Sequence, residues 1–204
     1  MSEFADLTIG VLALQGAFIE HVKMLQRLGA NAREVRLPSD LEGLDGLIVP
    51  GGESTTIGKL LVSYDLLAPL RKLVDDGFPI YGTCAGTILL ARDIGGLDQP
   101  LLATMDLVVE RNAFGRQLQS FETDLDVAGL GDAPFRAVFI RAPAITSVGP
   151  KVETLAKLEN GTIVAARQDS LLVTCFHPEL TDDDRFHRAF LELVREHARK
   201  APAA

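Results

Sequence analysis

Phe78 to Arg92 reads FPIYGTCAGTILLAR, an apolar run, a Gly-x-Cys-x-Gly turn and a second apolar run with nothing between them. The first run, Phe78–Tyr81, has the length and composition of a strand buried on both faces, and the second, Ala85–Arg92, continues as a helix. Gly82 and Gly86 clear the space that a sharp strand-to-helix bend needs, so the bend lifts Cys84 above the end of the sheet. A thiol placed there also meets the positive end of the helix dipole, which favours its nucleophilic form. Taken alone, Cys84 could equally be a packed cysteine at a strand end.

Outward from this turn the same alternation repeats. Leu7–Leu14 is an apolar strand, followed by a helix with Phe18, Val22, Leu25 and Leu28 on one stripe and Gly29 placed as its left-handed cap. Strands follow at Ala32–Leu37 and Gly46–Val49. Ser54 is positioned to cap a helix over Thr55–Tyr64, and a further helix spans Leu66–Asp75. Strands alternating with helices imply right-handed crossovers and a doubly wound, mostly parallel sheet flanked by helices. From Thr104 onward the pattern changes to additional antiparallel strands: Met105–Glu110, Gln117–Leu125, Ala137–Arg141, and a hairpin of Glu153–Glu159 with Thr162–Arg167 across Asn160-Gly161. A last strand, Leu171–Phe176, precedes a helix over Asp182–His197 with acids in its first turn. The expected fold class is α/β, and residues 1–204 read as a single domain.

Composition narrows the function. With 47% hydrophobic and 24% charged residues the chain is ordinary for a globular protein. A net charge of −8, with Lys and Arg scattered singly, argues against nucleic acid and against an anionic membrane surface as partners. No apolar stretch reaches the roughly 20 residues of a membrane span, and Met1–Asp6 carries acids where a signal peptide has bases. A cytoplasmic location is therefore expected.

Two more motifs fall at strand ends. His177-Pro178-Glu179 follows the last strand, where Pro178 holds its predecessor extended and lets side chains two apart project to one side. Glu179 can then accept from one ring nitrogen of His177, leaving the other to take the proton of Cys84. Pro50-Gly51-Gly52-Glu53-Ser54 follows another strand, and the N–H groups of Gly52 and Ala85 could form an oxyanion hole. It is not a phosphate loop, because Gly58-Lys59 is followed by Leu60. In an open parallel sheet the carboxyl ends of the strands line one crevice, which would bring the three motifs together. Cys175, inside an apolar run, reads as packing. His21, His187 and His197 read as structural or solvated, and no set of residues has metal-ligand spacing.

The three motifs together resemble those of class I, triad-type glutamine amidotransferases. More closely, Ala13-Leu14-Gln15-Gly16, Pro50 through Thr56, Gly82 through Gly86, and Glu110-Arg111-Asn112-Ala113-Phe114-Gly115-Arg116-Gln117 resemble the glutaminase subunits of pyridoxal 5′-phosphate synthases. The resemblance implies hydrolysis of L-glutamine to L-glutamate and ammonia by Cys84, His177 and Glu179, without a metal or cofactor. It implies glutamine contacts from Gly51, Gly52, Glu53, Arg111, Ile140 and Arg141, and a role for Gln15 in ordering the oxyanion hole. It also implies that the partner receiving the ammonia is a separate, barrel-shaped synthase subunit. A glutaminase serving another synthase, such as that of histidine biosynthesis, would share the triad but lack ALQG and ERNxFGRQ. A non-amidotransferase cysteine protein of similar topology would not need His177 and Glu179.

Overall fold

The computed structural model describes residues 3–114 and 120–200. In chain order the first half holds β1 (Thr8–Leu12), α1 (Phe18–Leu28), β2 (Asn31–Val35), β3 (Gly46–Val49), α2 (Ser54–Ser63), α3 (Leu67–Asp75), β4 (Ile80–Thr83) and α4 (Ala85–Leu90). The second half holds β5 (Ala91–Asp93), β6 (Met105–Glu110), β7 (Ser120–Leu125), β8 (Phe135–Ile140), β9 (Ala144–Val148), β10 (Glu153–Lys157), β11 (Ile163–Gln168), β12 (Leu171–Thr174) and α5 (Arg185–Lys200).

The main sheet runs β2-β1-β3-β4-β12-β11-β9-β6-β5, with β10 added on β11. From β2 to β12 every pairing is parallel, whereas β12–β11, β11–β9 and β9–β6 are antiparallel. Every residue of β3, β4 and β12 is buried, as helix-covered parallel strands must be. Edge strand β2 is instead largely exposed, with Asn31, Arg33 and Glu34 toward solvent and Val35 buried. Helices α1 and α5 pack together, as do α2 and α4. A separate two-stranded sheet, β7–β8, closes over a cluster in which Phe121 and Phe139 stack with centroids 4.5 Å apart. The doubly wound reading and the antiparallel second half both hold.

Several boundaries differ from the sequence reading for local reasons. Strand β4 starts at Ile80 rather than Phe78, because Pro79 has no N–H to give and offers only its carbonyl, which accepts from Leu47. Helix α4 stops at Leu90, because Ala91 turns into β5 and pairs with Met105 on β6. Strand β12 ends at Thr174, beyond which the Cys175 N–H goes to Val164 and the His177 N–H to Val138. The cap of α2 is Glu53, not Ser54: its carboxylate accepts from the N–H groups of Thr55 and Thr56. The acids Asp182–Asp184 precede α5 rather than filling its first turn. Strand β9, between Pro143 and Pro150, carries no clear alternation and was not anticipated. The start of the expected strand from Gln117 lies outside the described residues. Gly29 caps α1 in the left-handed region, as expected.

Candidate active site

Strand β4 delivers Cys84 into a bend with φ 47° and ψ −101°, a conformation costly for a residue with a side chain. Surrounding bonds hold it there. The Cys84 N–H donates to the Thr174 carbonyl at 2.8 Å, and its own carbonyl accepts from the Thr87 N–H at 3.1 Å. Gly86 lies so close to β3 that any Cβ would strike the Val49 carbonyl oxygen, so glycine is required for α4 to start this near the sheet. The sulfur lies 3.9 Å from the Ile140 carbonyl oxygen at the end of β8.

His177 arrives from β12. The contact with Glu179 does not arise from an extended chain, as Pro178 had suggested; Pro178–Leu180 is a 3-10 turn, and it folds Glu179 back beneath the ring. His177 Nδ1 and Glu179 Oε1 are 2.7 Å apart, and both side chains are buried. That bond assigns the proton to Nδ1 and leaves Nε2 for the thiol. Burial by itself would lower the pKa of His177. Its hydrogen bonds to Cys84 and Glu179, with the charges of both, outweigh burial and raise it to about 10. At neutral pH the ring is a charged, proton-carrying imidazolium.

The third element is the loop after β3. A Cβ on Gly51 would collide with His177 Cε1 and approach Cys84 Cβ to 3.2 Å, so this backbone forms a wall of the site that only glycine can make. The loop is laced to the segment after β1: the Gly51 carbonyl accepts from the Ala17 N–H at 3.0 Å, and Gln15 Oε1 accepts from the Glu53 N–H at 2.7 Å. Gln15 thus braces the loop, within reach of Gly52. Arg111 donates to Glu53 Oε1 (3.3 Å), Thr55 Oγ1 (3.3 Å) and Gln99 Oε1 (3.0 Å). Partial burial would raise the Glu53 carboxyl pKa, but bonds from Thr56 and Thr55 hold it below the usual range. Arg141 has φ 45° and, among the described residues, makes no hydrogen bond or ion pair.

These groups surround a cleft of about 510 Å³, lined by Gly51, Gly52, Glu53, Cys84, Ala85, Arg111, Ile140, Arg141 and His177 among others. Glu179 stands behind His177, outside that lining, and Gln15 behind Gly52. Cys175 is fully buried and makes no part of the cleft. Gly115, Arg116 and Gln117 of the longest motif lie outside the described residues. Sequence reasoning passed over Thr83 and Gln99, and treated His21 and His187 as structural or solvated. Both histidines are fully buried and bonded to each other at 2.8 Å. Their place on helices amid charged neighbours gave no sign of this, because each meets the other across 166 residues of chain.

The family profile described as the SNO glutamine amidotransferase family matches residues 11–196. A pyridoxal 5′-phosphate synthase subunit PdxT from Herpetosiphon aurantiacus is 62% identical over 190 residues, covering 92% of this chain and 100% of that protein. The protein of the same name from Roseiflexus sp. is 58% identical, with coverages of 92% and 100%. Among solved structures, a glutamine amidotransferase is 54% identical, with a TM-score of 0.87 and coverage of 92% of this chain and 98% of that one. PurLQS from Thermotoga maritima shares the fold at a TM-score of 0.70 and 14% identity, with coverages of 91% and 98%.

Proposed function

Because the chain belongs to the SNO glutamine amidotransferase family, we propose that it is the glutaminase subunit of a pyridoxal 5′-phosphate synthase and hydrolyses L-glutamine with Cys84, His177 and Glu179. The observation that carries this reading is the strained Cys84 bend facing a buried imidazole that Glu179 holds at 2.7 Å.

Cys84, its thiol proton passed to His177, attacks the amide carbon of glutamine through Sγ, and the developing oxyanion is stabilised by backbone N–H groups, those of Ala85 and Gly52. The proton on His177 goes to the departing nitrogen, so ammonia leaves and a glutamyl thioester remains. Water, with His177 now neutral and acting as base, releases glutamate and restores the thiol. Glu179 fixes the ring and balances its charge. Arg141, whose guanidinium is unpaired among the described residues, suits the substrate α-carboxylate; Arg111, already bound to Glu53, Thr55 and Gln99, assists from a braced position. Glu53, Gly51, Gly52 and Ile140 complete the pocket.

Ammonia freed into neutral water is largely protonated and lost as a nucleophile, so its consumer belongs close by. We assign that role to a separate, barrel-shaped synthase subunit, with this chain acting as a single domain in the cytoplasm. Among the described residues no helix is long and apolar enough to cross a membrane. Docking would switch the site on by selecting the Gly51–Gly52 peptide orientation that aims an N–H at the oxyanion; a missing donor costs roughly 10²- to 10³-fold in kcat. Glutamate release by the purified chain, with and without stoichiometric synthase subunit, tests this. The expected result is a rise of that size together with a complex on a sizing column; equal rates and no complex would overturn the assignment.

A further inference from the structure

Behind the triad lies a buried polar chain that the reaction steps above do not use. His21 on α1 places Nε2 3.1 Å from Thr83 Oγ1 and 3.5 Å from Glu179 Oε2, the carboxylate oxygen turned away from His177. Its Nδ1 is 2.8 Å from His187 Nε2 on α5. Thr83 Oγ1 in turn accepts from the Gly51 N–H at 3.1 Å. His21, Thr83 and His187 are fully buried, and Tyr81 packs edge-on against both imidazole rings.

Two facts fix the protons. Glu179 Oε2 is buried with no hydrogen-bond partner of its own, and His187 Nδ1 is equally bare. A buried carboxylate oxygen facing a nitrogen lone pair would be repelled, whereas an N–H there gives a charge-assisted contact. If His21 instead carried its proton on Nδ1, His187 would have to accept it and would strand an N–H on its own Nδ1, and orphaned buried N–H groups are rare. Both arguments put N–H at Nε2 of His21 and at Nε2 of His187, leaving only a lone pair bare. The Thr83 hydroxyl hydrogen is free to rotate. Burial, then the neighbouring His187 and His177, hold His21 neutral; burial, then Arg27, lower His187 to about 3. The titratable groups facing the pair are therefore Glu179 from the 3-10 turn, His177 beyond β12, Tyr81 from β4 and Arg27 from α1.

We infer that His21 is a positioning residue for the glutaminase reaction: its single Nε2–H, shared between Glu179 and the Thr83 hydroxyl, couples the triad carboxylate to the loop that carries Gly51. One N–H with two acceptors cannot serve both fully. As the ring tilts toward Glu179, the carboxylate is steadied and holds the His177 proton less tightly. As it tilts toward Thr83, the hydroxyl that anchors the Gly51 N–H is steadied instead. Neutral His187 sets the tautomer that makes this possible, which explains a buried histidine pair inside an otherwise apolar helix contact.

The inference rests on the glutaminase reading, and the experiment separates the two. Glutamine hydrolysis is followed across pH with the chain bound to its synthase subunit. Wild-type turnover tests the reading by itself; without it the inference falls as well, before any variant is made. Given turnover, His21→Leu removes the donor and lowers kcat about 10- to 100-fold, the loss expected for a hydrogen bond to a charged group, with KM little changed. Its alkaline limb of kcat/KM moves to higher pH, because the untempered carboxylate holds the imidazolium proton more firmly. His21→Gln, which can place an N–H near the Nε2 position, recovers most of the kcat. Thr83→Val loses kcat through the loop alone and leaves the alkaline limb in place. Equal losses in His21→Leu and His21→Gln, matched by equal falls in melting temperature and an unmoved pH limb, would show that His21 only fills space and would overturn the inference. If His21→Leu does not fold, His21→Met, which has the shape of glutamine without its N–H, carries the test: its alkaline limb must move to higher pH while those of His21→Gln and Thr83→Val stay, and an unmoved limb in His21→Met overturns the coupling.

Discussion

The ends of β4 and β12 are the same place built twice. The two strands are neighbours in parallel register, with Thr83 opposite Thr174, and each is followed at once by a cysteine. After β4 the chain bends into positive φ and starts a helix, and Cys84 opens onto the cleft beside His177. After β12 the chain runs on, the Cys175 N–H pairs with Val164, and the side chain is sealed in the core. Burial, and after it the charge of nearby Cys84, push the Cys175 thiol far above its ordinary range. Residue type and strand position are thus matched; the bend after β4, which turns Cys84 into the cleft that His177 lines, separates a nucleophile from a packing atom.

Substitution breaks or sharpens that contrast. The largest effect is expected from Cys84→Ala, which should reduce glutamine hydrolysis to background while leaving the circular dichroism spectrum unchanged. His177→Ala should be nearly as severe, since residues that act as a unit fail together. Retained turnover in either would erase the distinction between the two strand ends. Glu179→Gln keeps the shape of the turn but removes the charge behind the imidazolium, so kcat should fall by about 10³-fold or more. Normal kcat across pH would mean that another group orients the ring.

A titration probes the same contrast without measuring turnover. The folded-state pKa of His177, about 10, lies above its ordinary 6.5, and Cys84 is one of the groups that raise it. The stability this contributes is fully present below about 6.5 and is lost as pH climbs through about 10. In Cys84→Ala the imidazole should titrate nearer neutrality by NMR, and the melting temperature should fall less steeply between those limits than in the wild type. An unchanged imidazole titration would deny the thiol its part. The smallest effect belongs to Cys175→Ala: full activity and a packing loss of about 1 kcal/mol by chemical denaturation. A loss confined to kcat would reverse the roles of the two thiols.

How much of this was legible in the sequence follows from distance along the chain. The Cys84 bend is a five-residue affair, Gly82 to Gly86, and its glycines and flanking apolar runs state it outright. His177 and Glu179 are two residues apart; their pairing was legible, although the 3-10 turn that achieves it was not. The alternation of strands and helices up to Leu90 was legible because the inner parallel strands, such as β3 and β4, are buried on both faces. Strand β9 was not, since it is bounded by prolines and lacks alternation, and its place between β6 and β11 is decided by partners far away. Glu53 displaced Ser54 as the cap of α2 because its longer side chain reaches two N–H groups at once. His21 meets Thr83 across 62 residues and His187 across 166, so no local pattern could announce them.

The bond from the Ala17 N–H to the Gly51 carbonyl has a consequence for observation. Rotating the Gly51–Gly52 peptide must turn that carbonyl away and release the Ala17 amide, at the very start of α1. Deuterium exchange at this one amide therefore reports the state of the oxyanion loop with no substrate present: slow while the lacing between the loop and α1 is closed, and faster in whatever state has turned the peptide over.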